Sequence, residues 1–296
     1  MLYLIIFTTA VLFLLLLVYY REAIRDMLQL FPFWRRMWRV KLHVKAEKYA
    51  FGKHGRQYIL YCPPTPIEGE RERRHLIVYF HGGGWQFGSP DAFLPAAQVL
   101  TDWGFPVVMA SHRRLPWYGY RSMREDVSAI IEKTWEIMRE KNLTDRDIIL
   151  GGMSSGGNLA ALLYFDEDTL TPLHVPNEKL KAAFLQAAPL DLSKMKPSPV
   201  IYNFAGHPRR DTFRAASPIS YLKKSDTRPV YLVHGDRDGV VQYECTLAFY
   251  EKMHEIGYPN VRFETVPGGC HSASSDWAAE DNDVRRKLHD WLKQFA

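Results

Sequence analysis

The stretch that most constrains this chain runs from Ile148 to Ala160. The apolar run Ile148-Ile149-Leu150 meets Gly151-Gly152-Met153-Ser154-Ser155-Gly156-Gly157, and an Ala- and Leu-rich segment follows at helical spacing. Strand, glycine-flanked serine and helix, in that order, predict a sharp turn that lifts Ser154 out of a sheet. Gly152 and Gly156 are what such a turn requires, because a Cβ two residues either side of the serine would collide with strand or helix. The serine hydroxyl then lies near the amino end of a helix, where free backbone N–H groups favour developing negative charge.

The rest of the chain alternates in the same way. Short apolar runs at 75–80, 106–110, 147–150, 181–187, 229–233 and 261–266 predict strands, preceded by an early strand at 57–61. Helical spacing covers 92–103, 123–141, 155–165, 242–257 and 276–294. Strands separated by helices of this length predict an α/β fold with a mainly parallel sheet covered on both faces. The charged stretch 68–74 reads as a solvated hairpin loop. Residues 190–217 have three prolines and little periodicity, which predicts a small lid inserted between two strands.

The amino-terminal region differs in kind. Residues 2–20 carry no charged side chain, and nineteen helical residues just cover a bilayer core. A cleavable signal peptide is the competing reading, but no Lys or Arg precedes the run and Val18-Tyr19-Tyr20-Arg21 makes a poor cleavage site. A transmembrane anchor over 2–20 is therefore expected. Ten Lys or Arg face three Asp or Glu between Arg21 and Cys62, so the formal net charge of +5 is concentrated next to that run. The positive-inside rule then predicts a single-pass anchor with the bulk of the chain in the cytoplasm. Within 21–48, aromatics interleave with arginines (Phe31, Phe33, Trp34, Arg35, Arg36, Trp38, Arg39), which predicts a juxtamembrane segment lying on the lipid surface. The alternative is a basic helix whose aromatics pack on the domain. The globular domain is expected over 49–296. Nothing in the chain resembles a nucleic-acid motif, and Cys62, Cys245 and Cys270 form neither a disulfide framework nor a metal-ligand pattern.

Four strand ends carry chemistry. His81-Gly82-Gly83-Gly84-Trp85 follows the 75–80 strand directly. Glycines there let backbone N–H groups approach an oxygen that becomes negative, and no Gly-Lys-Ser/Thr follows to make a phosphate loop. The amides of Gly83 and Gly84, with that of Ser155, form the expected oxyanion hole, while His81 is expected to hold the loop. A serine nucleophile needs a base, and the base an orienting carboxylate. The strand at 229–233 leads into His234-Gly235-Asp236-Arg237-Asp238. Asp238 lies deeper in that loop, where it can turn back to the site, whereas Asp236 is placed to hydrogen-bond the turn itself. His234 is expected to be structural. His271, in Pro267-Gly268-Gly269-Cys270-His271, sits after the last strand. Ser154, Asp238 and His271 thus fall in the order Ser…Asp…His.

These motifs, with Ala216-Ser217-Pro218-Ile219-Ser220, resemble the α/β-hydrolases, and within them the hormone-sensitive-lipase-like and feruloyl-esterase-like carboxylesterases. The resemblance covers residue 49 to the carboxyl terminus. It implies an α/β-hydrolase fold, serine-based ester hydrolysis without metal or cofactor, an ester substrate, and Asp238 as the carboxylate of the set. Amidase or peptidase activity uses the same residues, and a membrane-tethered binding protein that lost turnover is the rival from another class. Two departures stand out: Ser155 occupies a position usually held by Ala, and Ser111-His112-Arg113-Arg114-Leu115-Pro116 replaces the usual Tyr-Arg-Leu-Ala-Pro.

Overall fold

The computed structural model describes residues 9–11, 14, 18–67, 75–166 and 175–295. The first long element is helix α1 (Arg21–Arg39), with Pro32 in its interior. Strands β1 (Glu47–Ala50), β2 (Tyr58–Cys62) and β3 (Leu76–Phe80) follow, then helix α2 (Leu94–Asp102) and strand β4 (Val107–Ala110). Helix α3 (Tyr120–Glu140) leads to β5 (Ile148–Met153), α4 (Ser155–Phe165) and β6 (Leu180–Gln186). Two short helices, α5 (Pro199–Ala205) and α6 (Asp211–Ala215), lie within the stretch expected to form a lid. Strand β7 (Val230–Gly235), helix α7 (Glu244–Glu255), strand β8 (Val261–Val266) and helix α8 (Asp283–Leu292) complete the order.

The eight strands form one sheet in the order β1-β2-β4-β3-β5-β6-β7-β8. β2 is antiparallel to both β1 and β4, and from β4 to β8 every neighbouring pair is parallel. Alternation along each strand assigns residues to two cores, as a period of two requires. Ile59, Leu76, Val78, Phe80, Val108 and Leu150 face α3, α4 and α7, while Leu60, Ile77, Tyr79, Met109 and Ile149 face α1, α2 and α8. Both faces are thus covered, which is why the central strands read as continuous apolar runs.

Three differences from the sequence reading have local causes. β5 continues through Gly151 and Gly152, beyond the expected end at 150; a Cβ on Gly151 would lie 2.2 Å from Phe184 Cζ, so its glycine serves packing within the sheet. The last helix starts at Asp283 and not at 276, because the Asn282 side chain caps it by accepting from the Arg285 amide at 2.9 Å. β1 escaped notice because it is an edge strand with an almost wholly exposed burial pattern and no alternation.

The most consequential difference concerns α1. One face of this helix packs on the domain, as in the alternative reading: Asp26 is buried beside the loops after β7 and β8, and Phe33 and Met37 against the sheet face that carries α2 and α8. Burial of the latter two contributes about 1.5–3 kcal/mol each relative to exposure. Arg36 ties the helix to Asp276 at 2.6 Å and to Glu280 at 3.2 Å. The opposite face leaves Met27, Leu28, Phe31 and Trp38 exposed. Most of the apolar run 2–20 and the expected loop 68–74 lie outside the described residues; among the described residues, no helix is long and apolar enough to cross a membrane.

Candidate active site

The site assembles where β3, β5, β7 and β8 end, at the carboxyl edge of the parallel strands. Ser154 takes φ 54° and ψ −126°, a left-handed conformation that few non-glycine residues adopt and that surrounding structure must hold in place. Two glycines make the turn sterically feasible. A Cβ on Gly152 would lie 2.7 Å from the Gly156 carbonyl, and one on Gly156 would lie 2.2 Å from the Phe80 oxygen. The Ser154 amide donates to the Gln186 carbonyl at 2.7 Å, fixing the turn to β6.

From this turn Ser154 Oγ meets His271 Nε2 at 2.9 Å, and His271 Nδ1 donates to Asp238 Oδ2 at 2.7 Å. All three side chains are buried. Asp238 Oδ1 accepts the amides of Val240 and Val241 at 2.9 and 2.8 Å, so its own loop fixes the carboxylate plane. Oδ2 accepts a second imidazole as well: His234 Nε2 lies 3.0 Å away, and His234 Nδ1 contacts Thr246 Oγ1 at 2.8 Å. His234, expected only as a strand-end residue, therefore touches the carboxylate that holds His271. Asp236 is exposed and accepts the Gly268 amide at 2.6 Å, apart from this line of contacts.

Burial alone would raise the Asp238 carboxyl, but the facing His271 charge and hydrogen bonds from both histidines hold it well below its usual range. For His271, burial pushes towards the neutral form; the Asp238 charge and hydrogen bond, with a smaller effect of Asp26, outweigh it and leave the imidazole above its ordinary value. The same environment thus keeps the carboxylate ionised and makes the imidazole a better proton acceptor.

The glycine loop after β3 runs beside the serine, since a Cβ on Gly82 would lie 3.4 Å from Ser154 Cβ. Gly83 and Gly84 have φ of 139° and 60°, and the Gly83 carbonyl accepts the amides of Gln86 and Phe87. Among the described residues, the amides of Gly83, Gly84 and Ser155 enter none of the loop hydrogen bonds. His81 Nδ1 donates to the Gly82 carbonyl at 2.8 Å, and burial followed by the neighbouring His112 pushes His81 down to about 3. A neutral, buried imidazole suits a loop support and not a base. Trp85 stacks on Phe204 of α5 at 4.0 Å, so the insert packs directly on this loop.

Two clefts border these elements. One of ≈ 740 Å³ lies between α3 and α6, lined by Tyr120, Arg124, Asp211 and Tyr221, and includes no member of the Ser154–His271–Asp238 line. A smaller one of ≈ 450 Å³, lined by Glu22, Asp236, Asp238 and Gly239, lies between α1 and the loop after β7, while the Asp238 carboxylate itself is buried. Among the described residues, no group of three or more His, Cys, Asp or Glu is arranged to hold a metal ion.

Sequence reasoning missed Asp26. Its Oδ2 accepts the His271 amide at 3.0 Å and the Gly239 amide at 2.8 Å. The available signal was a carboxylate sharing a helix face with Phe33 and Met37, seven and eleven residues on, which is odd for a solvated basic helix.

The chain is similar to several known proteins. Esterase LipQ of Mycobacterium tuberculosis is 24% identical over 259 residues, covering 82% of this chain and 60% of LipQ, so the chain spans well under two thirds of that relative. Kynurenine formamidase of Danio rerio is 26% identical over 223 residues, covering 72% of this chain and 71% of the relative. Among solved structures, a truncated carbohydrate esterase from gut microbiota superposes with a TM-score of 0.71 at 19% identity, over 84% of this chain and 96% of that one. Esterase B from Lactobacillus Rhamnosis gives 0.71 at 18% identity, over 97% and 94%. The model of the BD-FAE family matches residues 61–253, more than half of the 296, and the chain belongs to that family of α/β-hydrolases.

Proposed function

We propose that this protein is a serine hydrolase that cleaves carboxylic esters through an acyl-enzyme. The observation that carries the reading is the continuous line Ser154 Oγ–His271 Nε2 and His271 Nδ1–Asp238 Oδ2, at 2.9 and 2.7 Å, beside a glycine loop. In the first half-reaction Ser154 Oγ bonds to the ester carbonyl carbon and its proton passes to His271 Nε2. The carbonyl oxygen takes the negative charge and is received by the amides of Gly83, Gly84 and Ser155. As the C–O bond to the alcohol breaks, His271 returns the proton to the departing oxygen. Water then attacks the acyl-enzyme, giving a proton to His271, and collapse of the second tetrahedral species releases the acid and restores the serine. Asp238 stays ionised throughout and fixes the Nδ1–H tautomer. None of these steps calls for a cofactor.

Amide hydrolysis is the second reading, because one relative that the chain covers to 71% is named a kynurenine formamidase. Formamides and esters share the attack and differ in the leaving group that His271 must protonate.

The reading extends to place. The apolar run 2–20 as a bilayer anchor, basic residues after it, and an exposed Met27–Leu28–Phe31–Trp38 face on α1 support a site held at a membrane surface. Positive charge on the carboxyl-terminal side of the run supports a cytoplasmic catalytic domain, and esters with lipophilic acyl chains are the class such a location would supply.

The test is labelling with a fluorophosphonate probe, wild type beside Ser154→Ala, followed by ester and formanilide series of increasing acyl length. Attachment at Ser154 in the wild type alone is expected. A folded wild type that neither labels nor turns over an ester would instead favour a binding protein on a hydrolase fold.

A further inference from the structure

Asp26 has the environment of a functional carboxylate rather than of a helix-surface residue. Its side chain is fully buried, and its two oxygens have different partners. Oδ1 accepts Arg25 Nη2 at 2.9 Å and Nε at 3.2 Å. Oδ2 accepts two backbone amides from separate loops, that of Gly239 at 2.8 Å and that of His271 at 3.0 Å. Gly239 directly follows Asp238, so one oxygen holds the backbone beside the triad carboxylate and the backbone of the triad imidazole.

The rest of the contact is built around this bridge. A Cβ on Gly239 would lie 2.2 Å from the Glu22 carbonyl carbon, so a glycine is needed for the loop to reach the α1 backbone. Arg25 also donates to the Arg237 carbonyl, pinning the Asp238 loop from its other side. All of this lies in residues 21–39 and in the loops they touch, and both Asp26 and His271 fall outside the family-matched span 61–253.

We infer that Asp26 is a positioning residue for the Ser154–His271–Asp238 set: bridging the amides of Gly239 and His271, it sets the spacing between the carboxylate and imidazole loops, and makes α1 part of the catalytic apparatus. This rests on the hydrolase reading above. Reaction rates depend steeply on such spacing, because about 1 Å of misplacement is enough to cost ~10²-fold. The Asp26 charge has a second consequence. The charged and titratable groups that face it are Arg25, itself acted on by Glu22 and Cys270, and His271, which is paired with Asp238. It therefore adds to Asp238 in favouring the protonated imidazole.

The experiment uses the full-length protein in detergent and compares wild type, Asp26→Ala, Asp26→Asn and Arg36→Ala. The last breaks the Arg36–Asp276 pair, which docks the same helix without touching either loop amide. Each is measured for its thermal transition, fluorophosphonate labelling, and kcat and KM against pH. Asp26→Ala is expected to lower kcat by ~10- to 100-fold, in keeping with loss of alignment, with KM little changed. Asp26→Asn keeps an acceptor in place, so it is expected to retain more kcat while its acid limb moves to lower pH. Arg36→Ala is expected to lower the thermal transition and leave the acid limb where it was. If Asp26→Ala does not fold, the Asp26→Asn profile decides. A folded Asp26→Asn with the wild-type acid limb, and a kcat no lower than that of Arg36→Ala, would reduce Asp26 to a docking contact and overturn the inference. Absence of Ser154-dependent labelling in the wild type overturns the hydrolase reading first, and is told apart because it precedes any variant.

Discussion

The strand-end loops and helix α1 meet at one site, yet they are specified in different ways. In the loops, geometry demands particular residues: Gly152 and Gly156 because a Cβ would strike backbone, and Ser154 because the turn lifts it towards His271. Each demand leaves a mark in the sequence at a fixed offset. Helix α1 has no such demand along its length. Its apolar residues spread over a wide arc, with Phe33 and Met37 buried in the domain and Met27, Leu28, Phe31 and Trp38 facing out. A helix apolar on two sides does not declare which side meets protein. Motif reading therefore carries far where the backbone is constrained and little way where burial is decided by a partner surface.

The largest effect expected is in the loops. Asp238→Asn would keep the shape of the side chain but let an amide face His271 Nδ1, favouring the wrong tautomer, and kcat is expected to fall by about 10⁴-fold. Asp236→Asn should change it by no more than about twofold, since its carboxylate is exposed and accepts the Gly268 amide, away from His271. Steady-state kinetics on one ester compare the two. Equal losses would mean that the hydrogen bond from His271 to Asp238 does not govern the rate.

That pair of aspartates also marks how much was legible. Depth in the loop and the resemblance both pointed to Asp238, and the alternation of runs pointed to the sheet and its helices. The carboxyl end of β5 was hidden by Gly151, whose missing side chain accommodates Phe184 from the neighbouring strand. His234 was seen as structural, but its contact with the shared carboxylate depends on Thr246 of α7, twelve residues on, which no local pattern reveals. The partners of Asp26 were hidden for the same reason on a longer scale: they are more than two hundred residues away.

On the helix side, Phe33→Ala should cost about 3–5 kcal/mol of folding stability, read by chemical denaturation in detergent. Phe33 is 1% exposed and stands beside Trp34, with ring centroids 5.2 Å apart. A loss near zero would mean that α1 does not dock in solution as it does here, and the contrast between the regions would collapse to an anchor beside an independent domain.

A smaller effect joins the two regions through pH. In the proposed mechanism His271 must be neutral to accept the serine proton, and Asp238 and Asp26 both favour its protonated form. Activity is therefore expected to fall about tenfold per pH unit below an apparent pKa higher than the ordinary value near 6.5. The sign for stability is the reverse. The raised imidazole pKa contributes stability that is fully present below the unfolded value and lost as pH rises through the folded one. A kcat/KM profile flat from pH 5 to 8 would argue against His271 as the base.

The smallest effect is the most discriminating within α1. Phe31 and Phe33 are two residues apart, and a helix turns about 200° between them, so they occupy opposite faces. Phe31 is 70% exposed against 1% for its neighbour. Phe31→Ala should therefore leave folding stability within about 0.5 kcal/mol of wild type, while lowering the affinity of the protein for anionic vesicles, since an aromatic at a lipid surface contributes through its buried area. Parallel denaturation curves for the two alanine variants separate the faces: a large gap assigns one to protein packing and leaves the other free for the bilayer. A loss for Phe31→Ala as large as that for Phe33→Ala would mean that both faces are covered by protein, and that the exposed stripe has a partner within a second copy of the chain rather than in lipid.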